Sequence, residues 1–449
     1  MRVPVFFAAA WWMLAGAAAA APRMKAGAAR IDITPEGPIW MSGYAARNRP
    51  SEGVLMPLWA KALALEDARG HRAVIVTTDL IGLPMEVTDL VAARAMERYG
   101  LERASLVFNS SHTHTGPVVR GNLSVMDPRQ APHRQAIEAY RRQLQEKLFQ
   151  VIGAALADLA PAEIAFGSGE ARFGVNRRQF TDKGVIIGVN PDGPTDPRVP
   201  VVRVTSPSGK VRALLFGYAC HNTTLTAEFY QLSGDYAGYA QAEIEREFPG
   251  AVALFLQLCG GDQNPNPRSR LEYAEQHGRT LAAEVARVTR TPMQPAAGRI
   301  RAAYQVAALP FAPHTREQFE QELKDPNVFR QRRATLMLKL YDERREPRLL
   351  RYPVQAVRLE NGFTLIALGG EVVVDYALWA YRTWPREPLI VAGYSNDVAC
   401  YIPSARVLRE GGYEAVDSMI YYGQPGPFTE EVEARIQDAV RQVMRRTGR

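Results

Sequence analysis

Strand-like apolar runs alternate with amphipathic helical stretches along almost the whole chain, and this alternation confines it to an α/β fold. Residues 72–78, 105–108, 199–204, 211–219, 251–258 and 389–391 read as strands, and 86–99, 134–159, 236–248, 273–289, 373–382 and 429–446 as helices. A hairpin is expected where 354–358 and 363–368 flank Glu360-Asn361-Gly362, a strong turn signal. Residues 314–351 are charged and helical, and read as an excursion from the core. The expected architecture is mixed β-sheets flanked by helices. At 449 residues the chain suits one large domain or two closely joined ones.

Polar clusters sit where the strands end. His112 and His114 follow one strand, Cys220-His221 a second, Gly260-Gly261-Asp262-Gln-Asn264-Pro-Asn266 a third, Gly369-Gly370-Glu371 a fourth, and Gly393-Tyr394-Ser-Asn396-Asp397, leading into Tyr401, a fifth. In α/β folds, sites collect at the carboxyl ends of strands. Side chains two residues apart on an extended chain share a face, so His112 and His114 address one pocket, a common start for a metal site. His71, His133, His277 and His314 lie outside this pattern and read as surface. Asp235 and Asp262 each follow a glycine and serve equally well as helix caps. Asn264 and Asn266 flank Pro265 as turn residues. Tyr236, Tyr239, Tyr421 and Tyr422 are core or pocket-lining, and Asp79 marks a sixth strand end.

The first residues read as a signal peptide over 1–20: Arg2, an apolar stretch, then small residues fit for cleavage. The stretch is short and Pro22-Arg-Met-Lys25 ends it, which argues against an anchor. Residues 21–449 are then expected as an exported domain, periplasmic or secreted. Net charge is +7, spread without basic–aromatic repeats, which argues against nucleic acid. Such a surface attracts anionic substrates or envelopes, and leaves peripheral membrane contact open. Cys220, Cys259 and Cys400 are too few for a disulfide framework and read as buried small residues, one disulfide being left open. No feature sets an oligomeric state.

Read in order, Ala26-Gly-Ala-Ala-Arg-Ile-Asp-Ile-Thr-Pro35, Gly43-Tyr44, Ser111-His-Thr-His-Thr-Gly-Pro117, Asn176-Arg177, His221, Gly234-Asp235, Gly261-Asp262, Glu371, Tyr401 and Tyr413-Glu414 resemble the neutral/alkaline, non-lysosomal ceramidase family in its N-terminal catalytic domain. The resemblance implies one zinc ion per chain, held by His112, His221, Glu371 and Tyr401. Two imidazoles and a carboxylate make an ordinary open zinc site. Tyrosine is a rare ligand, with a free pKa of about 10 that a bound dication lowers. The resemblance also implies that His114, Arg177 and Tyr413 line the reaction centre, with Asp262 beside them. Two departures stand out. Where the family has a serine proposed as a reactive group, this chain has Asn264, neither nucleophile nor base. The family continues into an immunoglobulin-like domain, for which a chain ending at Arg449 is expected to leave no room. The expected activity is zinc-dependent hydrolysis of an amide bond in a small-molecule or lipid N-acyl substrate. Zinc-bound hydroxide attacks, His114 shuttles the proton, and Tyr413 and Arg177 stabilise the oxyanion. A deacylase of esters or carbohydrates on the same site, and a non-catalytic binding protein, are the alternatives.

Overall fold

The computed structural model describes residues 24–128 and 130–449, so the signal peptide expected over 1–20 lies outside the described residues. Two sheets pack face to face. One has five strands, in the order Leu106–Ser110, Arg72–Thr78, Trp59–Glu66, Lys25–Asp32 and Ala160–Pro161. The other has eight, in the order Val252–Gln257, Val211–Tyr218, Arg198–Thr205, Glu163–Glu170, Gln294–Pro310, Leu349–Asn361, Thr364–Leu368 and Leu389–Ala392. Between them lie Leu63, Leu65, Ile75 and Val107 from the first sheet, and Val202, Leu215, Leu254, Leu365 and Ile390 from the second. Each such branched side chain contributes about 1.5–3 kcal/mol relative to exposure.

Helices cover both outer faces. Met85–Tyr99 and Ala131–Ala157 place Val87, Val91, Leu144 and Leu148 on the five-stranded sheet. Asp235–Glu247 and Leu271–Arg290 cover one half of the larger sheet through Ile244, Leu281 and Val285. Asp375–Thr383 and Glu431–Arg446 cover the other half through Ala377, Ile436 and Val440. Strands with both faces covered carry unbroken apolar runs, as residues 365–368 and Leu389–Ala392 show.

Three strand–helix–strand units orient the site. Arg72–Thr78 runs parallel to Leu106–Ser110, Val211–Tyr218 to Val252–Gln257, and Thr364–Leu368 to Leu389–Ala392. Each pair is joined through a helix, so the carboxyl ends of its strands share one rim.

The structure corrects several expectations. Lys25–Asp32, Glu163–Glu170 and the long Gln294–Pro310 are strands without an apolar run. Alanine, glycine and polar residues separate their few large apolar side chains, and burial along them is intermittent, so no periodicity marks them. The excursion is helical over Arg316–Glu322 and Val328–Asp342, but Leu349 already begins a strand. His277 and His314 are buried, not surface. His277 stacks on Phe173 with ring centroids 4.5 Å apart, and its Nε2–H donates to the Pro267 carbonyl. His314 is held by the Pro347 carbonyl and the Tyr341 hydroxyl. All three cysteines are free and buried. Among the described residues no helix is long and apolar enough to cross a membrane.

Candidate metal centre

His112 and His114 do meet, though not by the extended-chain route. His112 has φ +64°, so the chain turns after Ser110 instead of continuing as a strand. The His112 amide donates to the Leu80 carbonyl and its Nδ1–H to the Ile81 carbonyl at 2.6 Å. The loop after the neighbouring parallel strand thus fixes the ring. His114 Nε2 then lies 3.1 Å from His112 Nε2. His221 follows Val211–Tyr218, and its Nδ1–H donates to the Gly260 carbonyl at 2.8 Å.

Glu371 and Tyr401 are register partners on two short parallel strands. Glu371 Oε2 is 3.0 Å from His112 Nε2 and 2.9 Å from His221 Nε2. The Tyr401 hydroxyl is 3.0 Å from His221 Nε2. Gly260 and Gly261 make this convergence sterically feasible. A Cβ on Gly260 would meet the Cys220 amide at 2.7 Å, and one on Gly261 the Glu371 carbonyl oxygen at 2.7 Å. The double glycine therefore lets the His221 loop and the Glu371 strand approach each other.

The donor chemistry suits a divalent cation. Because both Nδ1–H groups donate to carbonyls, His112 and His221 turn Nε2 lone pairs toward an acceptor-only carboxylate. Burial, then the Arg177 charge, push His221 down to about 4. Burial, then His112 and His221, push His114 well below the usual imidazole range. Burial opposes ionisation of Glu371, but the imidazoles beside it hold its carboxyl well below the usual range. Two Nε2 atoms converging on one buried carboxylate oxygen make a pocket that a bound cation would complete. Ligands about 2.0–2.2 Å from zinc lie roughly 3.3 Å apart in a tetrahedron, close to the spacings found here. The donor nitrogens of His112, His114 and His221 all lie within 4.8 Å of one another. His114 lacks both the carbonyl partner and the Glu371 contact, and its Nδ1 is buried without a hydrogen-bond partner. His112, His221, Glu371 and Tyr401 thus form one group of candidate donors, and His114 adjoins it.

A cavity of about 290 Å³ opens beside these groups, with His114, Arg177, Asn264, Glu371, Tyr401 and Tyr413 in its wall. Arg177 donates to the Tyr401 hydroxyl at 2.9 Å, to Asn264 Oδ1 at 3.3 Å and to Glu414 at 2.7 Å. Burial works against the Arg177 charge, but Tyr401 and Glu414 hold it firmly cationic. Burial pushes the Tyr401 hydroxyl up, and the Arg177 guanidinium opposes that rise. Asp262 does not line the cavity. Its carboxylate accepts from the Val374 amide at 2.9 Å and from Asn176 at 3.2 Å, beneath the floor. Asp79 braces Trp59 and Gln241. Larger clefts, of about 1020 Å³ beside Arg203 and 1160 Å³ beside Arg332, contain none of these donors.

Two contacts had no sequence signal of their own. Tyr422 donates a short hydrogen bond to Glu371 Oε1, and Glu414 grips Arg177 and Arg178 together. The sequence singles out Arg177, Tyr413-Glu414 and Tyr422 one by one, but nothing local pairs them.

Residues 24–294 match the family described as neutral/alkaline non-lysosomal ceramidase, N-terminal. The chain is similar to the neutral ceramidase of Pseudomonas aeruginosa, 29% identical over 256 residues that make up 54% of this chain and 37% of that protein. It is also similar to the neutral ceramidase of Mycobacterium tuberculosis, 25% identical over 271 residues, 54% of this chain and 40% of that protein. The matched segment thus spans well under half the length of these relatives. Two solved structures share the fold. A ceramidase complexed with C2 gives a TM-score of 0.72 at 20% identity, over 94% of this chain and 76% of that one. The crystal structure of the Pseudomonas aeruginosa enzyme gives 0.71 at 21% identity, over 94% and 75%. With 94% of the chain covered, the shared fold runs far beyond residue 294. The matched segment, which carries His112, His114, Arg177, His221 and Asn264, makes this chain a member of the neutral/alkaline non-lysosomal ceramidase family.

Proposed function

We propose that this chain is an exported, metal-dependent hydrolase of an amide bond in an N-acyl substrate, with one zinc ion held by His112, His221, Glu371 and Tyr401. The observation that carries this reading is the pair of carbonyl-fixed imidazoles whose Nε2 atoms both lie within 3.0 Å of one Glu371 oxygen. When bound, such an ion polarises a carbonyl and acidifies a water. The protein supplies the rest. Arg177 and Tyr413 line the cavity as donors for a developing oxyanion. His114, neutral and beside the donor set, takes the proton of the attacking water and returns it to the leaving amine. Asn264 offers no nucleophile. Thr223, the hydroxyl next to it, points its proton at Asn264 Oδ1, and among the described residues it has no hydrogen bond to a basic group. The attacking oxygen is therefore that of water.

Apolar exposure supports a lipid-like substrate. Phe180, Ile186, Ile187 and Val189 are 46–58% exposed on one hairpin, Gly174–Thr181 with Gly184–Asn190, and Ile187 also lines the cavity. Peripheral contact with a lipid surface through this hairpin fits the same reading.

Elemental analysis with a panel of N-acyl and O-acyl substrates tests the proposal. We expect about one zinc per chain and preference for the amide. His112→Ala or His221→Ala should lose metal and rate together. A fully active metal-free protein would overturn the reading, and cleavage of esters alone would replace it with a deacylase.

A further inference from the structure

The cavity wall carries one charge with no role in the chemistry above. Of its ionisable groups, Arg177 is paired with Glu414, and Glu371 faces His112 and His221. Arg268 also lines the cavity, yet no described carboxylate lies within 4.0 Å of it. Its Nε is buried without an acceptor, its one hydrogen bond among the described residues is a 3.3 Å donation to the Tyr44 hydroxyl, and the carboxylates of Asp235 and Glu228 feel its charge without pairing with it. That hydroxyl is committed elsewhere as a donor, to the Leu225 carbonyl at 3.1 Å. On its other side the Tyr44 ring lies 4.9 Å from the His114 ring. The backbone around Arg268 is held on both flanks. His277 donates to the Pro267 carbonyl at 2.8 Å, and the Ser269 amide donates to the Thr224 carbonyl at 2.8 Å. The guanidinium is thus presented from a fixed loop with most of its five donors unused.

We infer that Arg268 forms an anion subsite one aromatic ring away from the reaction centre, so that the favoured substrates are N-acyl amphiphiles whose amine portion bears a carboxylate. This rests on the amide-hydrolase reading. The wall suits such a molecule: Ile81, Leu123, Met126 and Ile187 are apolar, whereas Tyr44, Thr223, Asn264 and Arg268 are polar. A guanidinium pairs with a carboxylate through two parallel N–H bonds, and a neutral hydroxyl cannot replace that contact.

The test compares N-dodecanoylglycine with N-dodecanoylethanolamine, which share a chain and differ in the charge of the amine portion, using the zinc-loaded protein. Wild type should show kcat/KM about tenfold or more higher for the carboxylate. Arg268→Gln should bring the ratio of the two values to about one, and Arg268→Lys should keep part of the preference. Equal use of both by wild type, or a ratio unmoved in Arg268→Gln, overturns the subsite. If neither amide is cleaved, the amide reading fails and calorimetric binding of the same two probes decides. Tighter binding of the carboxylate that Arg268→Gln abolishes sustains the subsite, and equal binding ends it. Should Arg268→Gln not fold, wild type alone decides against a third probe with a terminal ammonium. The order carboxylate, neutral, ammonium is required, and any other order refutes the inference.

Discussion

Glu371 faces two imidazoles with one oxygen, and Tyr422 holds the other. Tyr422→Phe removes that grip without disturbing packing, since the ring remains. We expect zinc affinity to fall about 10–100-fold, measured by competition with a chelator, while the fold persists. Unchanged affinity would show that the two short strands orient Glu371 unaided. Asn264 is constrained in a different way. Arg177 can only donate, so the Asn264 atom facing it is oxygen, and Thr223 donates to the same oxygen. The amide nitrogen is left for the cavity. Asn264→Ala should lower kcat about 10²–10³-fold with zinc retained, as loss of one oxyanion donor does. A matching loss of zinc would assign Asn264 a structural role instead. How much of this was legible follows from sequence separation. His112, His114 and His221 announce themselves because histidine is scarce here and each follows a strand. The Tyr422–Glu371 contact spans 51 residues and Arg177–Glu414 spans 237, so no local pattern pairs them.

The helix Met85–Tyr99 begins at Pro84, whose side chain cannot cap it, and the cap comes from the other half of the chain. Asp397 Oδ1 accepts from the Met85 amide at 3.0 Å. Burial pushes this carboxyl up to about 7 from its ordinary 3.8, although the Met85 hydrogen bond opposes the rise. A folded pKa above the unfolded value means that the folded state binds more protons across that window. The contribution is therefore full below pH 4 and is lost as pH rises through 7, by at most about 4 kcal/mol. Thermal melts should show wild type losing stability between about pH 4 and 7. Asp397→Asn keeps an acceptor for Met85 and should lose less over the same range. Parallel pH profiles for the two proteins would exclude Asp397 as the source. The hairpin Gly174–Thr181 with Gly184–Asn190 gives a second check at this scale. Ile186→Asp should lower the rate on an N-acyl lipid held in vesicles while sparing a short soluble amide. An equal loss on both would remove the hairpin from substrate delivery. Strands were legible where both faces are covered, because burial on two sides demands an unbroken apolar run. They were not legible where the strand packs with one face at intervals, as along Gln294–Pro310. Nor did the sequence reveal that His112 sits in a turn, since a positive φ at a histidine leaves no compositional mark.

The proposed centre draws on the whole molecule, because its candidate donors come from distant parts of the chain. His112 hangs from the five-stranded sheet, His221 from one half of the eight-stranded sheet, and Glu371 follows the Thr364–Leu368 strand of its other half. The halves are tied at the site rim as well. Asn109 donates to the Gly393 carbonyl at 2.8 Å, and Leu258 bridges to Ala392. The family match ends at residue 294, before Glu371, Tyr401, Tyr413 and Tyr422, so the matched segment contains only part of the donor set. A fragment of residues 24–294 therefore tests whether that segment is a functional unit. It would keep the two imidazoles but lose the carboxylate between them. It would also expose the faces of Leu65, Ile75 and Val107, which share a core with Leu365 and Ile390. We expect the fragment to unfold without cooperativity and to gain no thermal stability from added zinc. The full chain should gain about 2.7 kcal/mol at a zinc concentration of a hundred times Kd. Stoichiometric zinc in a cooperatively folded fragment would mean that the site closes without Glu371 and Tyr401. The third imidazole, His114, would then be the residue that completes it, because its nitrogen already lies 3.1 Å from that of His112.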